Sequence, residues 1–410
     1  MKKRVLAILV VICLLVPLAA CGGGGDTTPP AQPTPPAGGG TPTPPADDNG
    51  EEGFAGRIYI GITAGITGVA PLEGEAMTQS VTLAAELINA AGGVLGKELV
   101  PIIEDDAYTN EGGITVATRF IADDRIVAMA GPGRSGVFMA ISEMLYRARM
   151  PIVTPATSPA FYGLGYDNWF RVRSSDSSIA RFVPTFLVDT IGATNIGVMH
   201  TNDDAGIGAA AIFIEELENM GVPFTVVAYT GGEIDYTGHV MSIRDAGIDG
   251  LILWGHTVDL AVITRNMDQI GFDVPIVGNT GFMSATFLDM VEDHVADGIY
   301  IVTDANLQSD DPFVQFFLEE FRNRFPGIEP DIVNAIHFSY MFVLADAIER
   351  AGVAEREAII QALHETRDVP SVLGPLTTDR NQNMAHMITI LQNQGKVAHP
   401  MYTFHLEPIR

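Results

Sequence analysis

Arg125-Ile126-Val127-Ala128-Met129-Ala130-Gly131-Pro132-Gly133-Arg134-Ser135-Gly136 is the stretch whose reading decides the fold. Its apolar run, Ile126 to Ala130, reads as a buried strand that opens into a glycine-rich loop, Gly131 to Gly136. A helix is expected from Val137 to Ala148. A second short strand, Pro151 to Val153, then opens into Thr154-Pro155-Ala156-Thr157-Ser158-Pro159. Two neighbouring strands thus end in loops rich in Gly, Ser and Thr, at the carboxyl edge where open α/β sheets place their ligands.

Toward the N-terminus the same unit repeats. Arg57 to Ile62 reads as a strand and Gly65 to Gly74 as a glycine-rich loop. Met77 to Ala91 reads as a helix with Val81, Ala84, Ala85 and Ile88 on one face. Leu99 to Ile103 is a further strand, Thr115 to Ala122 a helix and Asn168 to Val172 a fifth strand. Repeated strand–helix units predict a parallel sheet covered on both faces. After the polar break Ser174 to Ser178 the pattern restarts, with strands at 196–199, 224–228, 250–254, 275–277 and 298–302, which predicts a second α/β sheet. Helices follow at 312–325, 331–351 and 355–365, and strands at 387–391 and 397–404. Neither piece is long enough for a third domain, so each is expected to complete one of the two sheets. The chain then crosses between them more than once, as in a hinge that permits closure.

The 410 residues carry 23 Lys and Arg against 50 Asp and Glu, a net charge of −27, which argues against nucleic acid as a partner. Met1-Lys2-Lys3-Arg4, the apolar run Val5 to Leu18 and Leu18-Ala19-Ala20-Cys21 have the form of a bacterial lipoprotein signal, residues 1–20. The apolar run is shorter than the roughly 20 residues of a spanning helix, which disfavours an uncleaved anchor. Cleavage before Cys21 removes Cys13 and leaves Cys21 to carry lipid at the new N-terminus. Residues 21–55 then read as a lipidated cysteine and a Pro/Gly-rich tether of extended, polyproline character.

Enzymatic readings fail one by one. Gly131 to Gly136 matches G-x-G-x-x-G, but in the third strand–helix unit, and no acidic residue stands about 20 positions on. Ser135 lacks a nucleophile elbow, since Val137 follows Gly136. His200, His256 and His337 each stand alone near an apolar run, where a histidine is usually structural. Glu104-Asp105-Asp106 lacks the spacing of a calcium loop and reads as a solvated turn. No catalytic constellation, metal site or cofactor is expected.

Several segments together carry a resemblance. They are Ile60-Gly61-Ile62 with Thr67-Gly68 and Gly74; Asn89 to Lys97; Glu104-Asp105-Asp106; Gly131-Pro132 with Ser135-Gly136; Pro151 to Pro159; Phe170-Arg171-Val172-Arg173 with Asp176; and Gly374-Pro375-Leu376-Thr377. In this order, behind a lipoprotein signal, the chain resembles the solute-binding lipoproteins of ABC importers, in the group that includes the branched-chain amino-acid-binding protein, over essentially all of residues 56 to 405. The resemblance implies the type I periplasmic-binding-protein fold: two similar doubly wound α/β lobes of parallel sheet, joined by a three-crossing hinge with the ligand between them. Crossings are expected near Ser174 to Ser178, Thr303 to Ala305 and Leu373-Gly374. Lobe 1 would comprise 56–175 plus 305–373, and lobe 2 176–304 plus 374–410.

The resemblance also implies a site. Ser135, with Ala156 and Thr157 of the loop after the fourth strand, stands where the family holds an α-carboxylate through that loop's backbone and hydroxyls, and hydroxyls and free N–H groups near helix N-termini suit an anion. Across the cleft Thr280 replaces the amine-binding glutamate, Ala205 and His256 replace two tyrosines, and Glu73 replaces a tyrosine of the first loop. Arg134 adds a positive charge. The expectation is an extracytoplasmic, lipid-anchored receptor. It binds an amino acid, amide or small carboxylate by lobe closure and delivers it to a membrane permease with cytoplasmic ATPases. Two alternatives stay open: a sensory receptor of the same fold, against which the chain ends at Arg410 with no following membrane helix, and a surface-anchored enzyme.

Overall fold

The computed structural model describes residues 53–69 and 71–406. The expected signal, Cys21 and the tether up to residue 52 lie outside the described residues. Five strands form the first sheet: β1 (Arg57–Ala64), β2 (Glu98–Asp105), β3 (Ile126–Ala130), β4 (Ile152–Thr154) and β5 (Trp169–Arg171). They are parallel, in the order β2-β1-β3-β4-β5. β1 is apolar at nearly every position because alternate residues serve different layers. Ile58, Ile60 and Ile62 pack with Val81, Ala84 and Ile88, whereas Tyr59 packs with Phe120 and Phe138.

The longer helices of this half are α1 (Pro71–Ala90), α2 (Asn110–Ala122) and α3 (Ser135–Arg147). α1 starts within the segment expected to be a glycine-rich loop. Proline is pre-shaped for the first helical turn and a carboxylate there suits the helix dipole, so Pro71 and Glu73 together begin the helix. Glu73 is therefore a helical residue, and not a loop residue as its sequence context suggests.

The second sheet contains β6 (Ile196–Thr201), β7 (Phe224–Tyr229), β8 (Gly250–Trp254), β9 (Ile276–Gly278), β10 (Tyr300–Thr303), β11 (Met387–Gln394) and β12 (Val397–His405). Its order is β12-β11-β10-β9-β8-β6-β7. Strands β6 to β10 pair in parallel, while β11 and β12 add an antiparallel hairpin at one edge. Its longer helices are α4 (Asp204–Met220), α5 (Thr237–Asp245) and α6 (Thr257–Gln269). The chain then returns to the first half as α7 (Pro312–Arg324), α8 (Ile332–Ala351) and α9 (Arg356–His364), with α8 packed on α1 and α9. α8 is long and apolar enough to cross a membrane by length and composition, but most of it is buried in the core of this half.

Three chain segments meet between the halves. Ser174 donates its backbone N–H to Asp304 at 2.9 Å and its hydroxyl to the Ala385 carbonyl at 3.2 Å. The chain leaves the first sheet after β5 and the second sheet after β10, and it re-enters the second sheet beyond Leu373-Gly374. Arg171 receives from Met384 and donates to Gln382, so the chain still borders β5 at residue 384 and enters the second sheet only at Met387. Gly374, at φ +83°, turns the chain within the first half, next to the bridge that pairs Val369 with Leu376. A turn glycine there resembles a hinge in sequence, but the pairing partners decide the matter.

Candidate functional site

The carboxyl ends of both sheets border one cleft of about 520 Å³, lined from both halves. On the first wall, β3 leads into Gly131 at φ +90°, where an added Cβ would stand 2.3 Å from the Thr63 carbonyl. Only glycine fits this turn, and the turn delivers Arg134 and Ser135 to the cleft. Ser135 begins α3, and no described side chain caps that helix, so its first-turn N–H groups are not claimed by a capping side chain. The buried Ser135 Oγ accepts from the Ser158 N–H at 3.3 Å, which leaves its own O–H to donate.

Beside it the Arg134 guanidinium lies 4.9 Å from the centre of the Tyr108 ring, and the Tyr108 hydroxyl donates to Glu73 at 3.1 Å. Burial, then the Glu73 charge, pushes the Tyr108 hydroxyl well above its ordinary range, so it remains a proton donor. Arg134 over the ring and Glu73 at the hydroxyl thus both line the cleft around one phenol.

The second loop behaves differently from expectation. The Thr157 hydroxyl donates to Asp176 at 2.8 Å, so its proton is already engaged. Ala156 does not line the cleft. It is 1% exposed, its N–H donates to Thr154 Oγ1 and its carbonyl accepts from Arg171 Nε. Asp176, which does line the cleft, is 4% exposed, and burial pushes its carboxyl up to about 6 against the hydrogen bond from Thr157 and the charges of Arg173 and Arg171.

On the second wall, Asp203 caps α4 by accepting from the Gly206 N–H at 2.9 Å. A Cβ at Gly206 would lie 2.0 Å from the Thr201 carbonyl, which explains the glycine. The other Asp203 oxygen meets His256 Nε2 at 2.5 Å. Burial pushes the Asp203 carboxyl up, but His256 and the Gly206 N–H outweigh it and hold the group below its ordinary range. Ala205 lines the cleft from the first turn of α4, and His256 from the residue before α6. The buried Asp259 accepts from the Tyr236 hydroxyl and the Gly232 N–H, each at 2.8 Å. Thr280 Oγ1 accepts from Arg173 at 3.3 Å, and Arg173 pairs with the fully buried Asp304 at 2.9 Å.

The cleft therefore brings together Glu73, Arg134, Ser135, Thr157, Ala205, His256 and Thr280, and leaves Ala156 out. Tyr108, Asp203, Asp259 and His337 also line it and were given no role from sequence; Arg173 and Asp176 were noticed only as motif residues. Asp203 had a usable signal, since it stands two residues past the apolar run of β6, whereas Asp259 lies in the first turn of α6. Asp105 and Asp106, read as a solvated turn, bind the N–H groups of Ile66 and Tyr108 respectively. Among the described residues no group of three or more His, Cys, Asp or Glu is placed to hold a metal. The halves touch on either side of the cleft, through Ser158 Oγ to the Asp204 carbonyl at 3.3 Å and the Ala285 N–H to Asp331 at 3.0 Å.

This architecture has counterparts. A family model described as a periplasmic binding protein matches residues 57–406. Leu/Ile/Val-binding protein homolog 3 of Brucella melitensis is 25% identical over 334 residues, covering 79% of this chain and 89% of that protein. A leucine-binding protein from Thermotoga maritima aligns with a TM-score of 0.79 at 22% identity, over 85% of this chain and 99% of that one. A branched-chain amino acid transporter substrate-binding protein from Streptococcus pneumoniae, in complex with isoleucine, aligns with a TM-score of 0.78 at 22% identity, over 86% and 100% of the two chains.

Proposed function

Since the chain belongs to the periplasmic binding protein family, a family of solute-binding proteins and not enzymes, we propose that it is the lipid-anchored receptor of an ABC importer for a small polar solute bearing a carboxylate. An amino acid, its amide or a small carboxylate fits this description. The observation that carries the reading is the start of α3, where no described side chain caps the first turn and Ser135 lines the cleft. Such a helix start attracts an anion through its N–H groups and its dipole. Two features of the opposite wall turn a standard α-amino acid into one candidate among several. Thr280 offers a hydroxyl in place of a carboxylate, and that hydroxyl already accepts from Arg173. The names of the relatives support an amino-acid-like solute.

Binding would favour the closed arrangement because contacts from both walls exist together only there. Ala205 and His256 would shape the second wall, and Glu73 and Arg134 would sort solutes by charge. Delivery to a permease with cytoplasmic ATPases follows from the same reading. So do export under the residue 1–20 signal and lipid attachment at Cys21, with the tether of residues 21–55 spanning the distance to the membrane. A thermal-shift screen of amino acids, their amides, hydroxy acids and small carboxylates on the purified protein tests the ligand class. A true ligand at 100 times its dissociation constant adds about 2.7 kcal/mol of stability. Failure of every carboxylate to stabilise the protein would overturn the reading.

A further inference from the structure

His337 on α8 lines the cleft alongside Ile332, Val333 and Ile336 and is itself 3% exposed. Its Nδ1 lies 2.6 Å from the Val333 carbonyl. A carbonyl only accepts, so Nδ1 carries the proton and Nε2 presents a lone pair. Burial holds the ring down at about 4, with the Arg173 charge acting in the same direction against the Val333 hydrogen bond, so the ring is neutral at physiological pH. Nε2 is buried and has no hydrogen-bond partner among the described residues. Tyr340 packs edge-on at 5.1 Å but makes no hydrogen bond to it. A buried acceptor without a donor is costly and uncommon in a folded protein. A single polar atom on an otherwise apolar stretch of a binding cleft is how such sites fix a ligand's orientation.

We propose that His337 Nε2 accepts a hydrogen bond from the bound solute and selects for solutes that carry a neutral N–H or O–H donor, an amide or a hydroxyl, in addition to their carboxylate. The assignment rests on the solute-binding reading above and narrows it. A neutral donor matches a buried acceptor whose ring is bonded only to the Val333 carbonyl, since a buried ammonium calls for an anionic partner. His337 thereby separates amides and hydroxy acids from their donor-free isosteres.

The test compares donor and donor-free members of one panel by calorimetry on the purified protein. The panel includes succinamate, lactate, 4-aminobutyrate and levulinate, the last replacing the amide of succinamate with a methyl ketone. The best donor-bearing ligand is expected to bind about tenfold more tightly than its donor-free isostere. That preference should vanish in His337→Phe and return in His337→Gln, which restores an acceptor. Should His337→Phe fail to fold, the side-chain nitrogen resonances of the wild-type protein decide: Nε2 must shift when the donor-bearing ligand is added, and an unchanged resonance overturns the assignment. Equal affinity for donor and donor-free members, or a preference that survives His337→Phe, overturns it while leaving the solute reading intact. Absence of binding by the whole panel and by the carboxylates of the wider screen overturns both.

Discussion

On the first wall of the cleft α3 begins at Ser135 with no described side chain over its N–H groups, whereas on the second wall α4 begins under Asp203, whose carboxylate occupies the Gly206 N–H and holds His256. A strand, a short turn and a helix thus leave a helix start without a side-chain cap on one wall and one capped by a carboxylate on the other. Asp259 deepens the contrast, since it is buried in the second wall and faces the same cleft. On the proposed reading, a solute carboxylate would be directed to α3 by attraction from one side and repulsion from the other. Capping, more than residue type, decides which helix start is open to a ligand.

The largest expected effect comes from the pair that holds the walls in register. Asp304→Ala leaves Arg173 buried without its partner and should cost about 3–5 kcal/mol in urea-induced unfolding. An unchanged midpoint would show that the hinge does not depend on the pair. Next in size, Asp203→Ala removes a helix cap and should lower stability by about 1 kcal/mol. It should also bring carboxylate affinity of the second wall closer to that of the first, so calorimetry on this variant should show affinity retained or raised. A strong loss of binding would place the ligand anion at α4 and break the comparison.

Smaller effects sharpen it. Thr157→Ala should leave carboxylate affinity within about twofold, because the Thr157 hydroxyl already donates to Asp176 and its loss costs only a neutral donor to a buried group. A loss of affinity as large as that of Ser135→Ala would return Thr157 to the ligand. A separate effect is on pH dependence. The Asp176 carboxyl titrates at about 6 in the folded chain against an ordinary 3.8, so between these values the folded state holds more proton and stability falls as pH rises. His337, at about 4 against an ordinary 6.5, contributes the opposite slope between those values, with stability rising as pH rises. Asp176→Asn should therefore make stability rise more steeply from pH 4 to 6 than in the wild type. Parallel unfolding curves for the two proteins across that range would contradict the burial of Asp176 as a proton-binding group.

Much of the fold could be read from sequence because parallel strands buried on both faces leave continuous apolar runs, as β1 and β3 do. The loop from Gly131 to Ser135 was readable for a related reason: a turn that only glycine can make leaves its mark in the sequence. What escaped was the state of each polar group. Thr157 and Asp176, Arg173 and Asp304, and Asp203 and His256 are partners only in three dimensions, so sequence could not tell that the Thr157 hydroxyl is occupied. The resemblance placed Ala156 in the site, yet its backbone groups are taken by Thr154 and Arg171. His337 was dismissed as a structural histidine, and half of it is: Nδ1 holds the Val333 carbonyl, while only the packed structure reveals that Nε2 is left over.

The central claim is that the ligand carboxylate sits at the start of α3. Calorimetric titration of the best-stabilising carboxylate into wild-type protein and Ser135→Ala tests it most directly. Loss of one donor to an anion should weaken binding by about tenfold, with the thermal midpoint of the unliganded variant near that of the wild type. Equal affinity in the two proteins would contradict the claim.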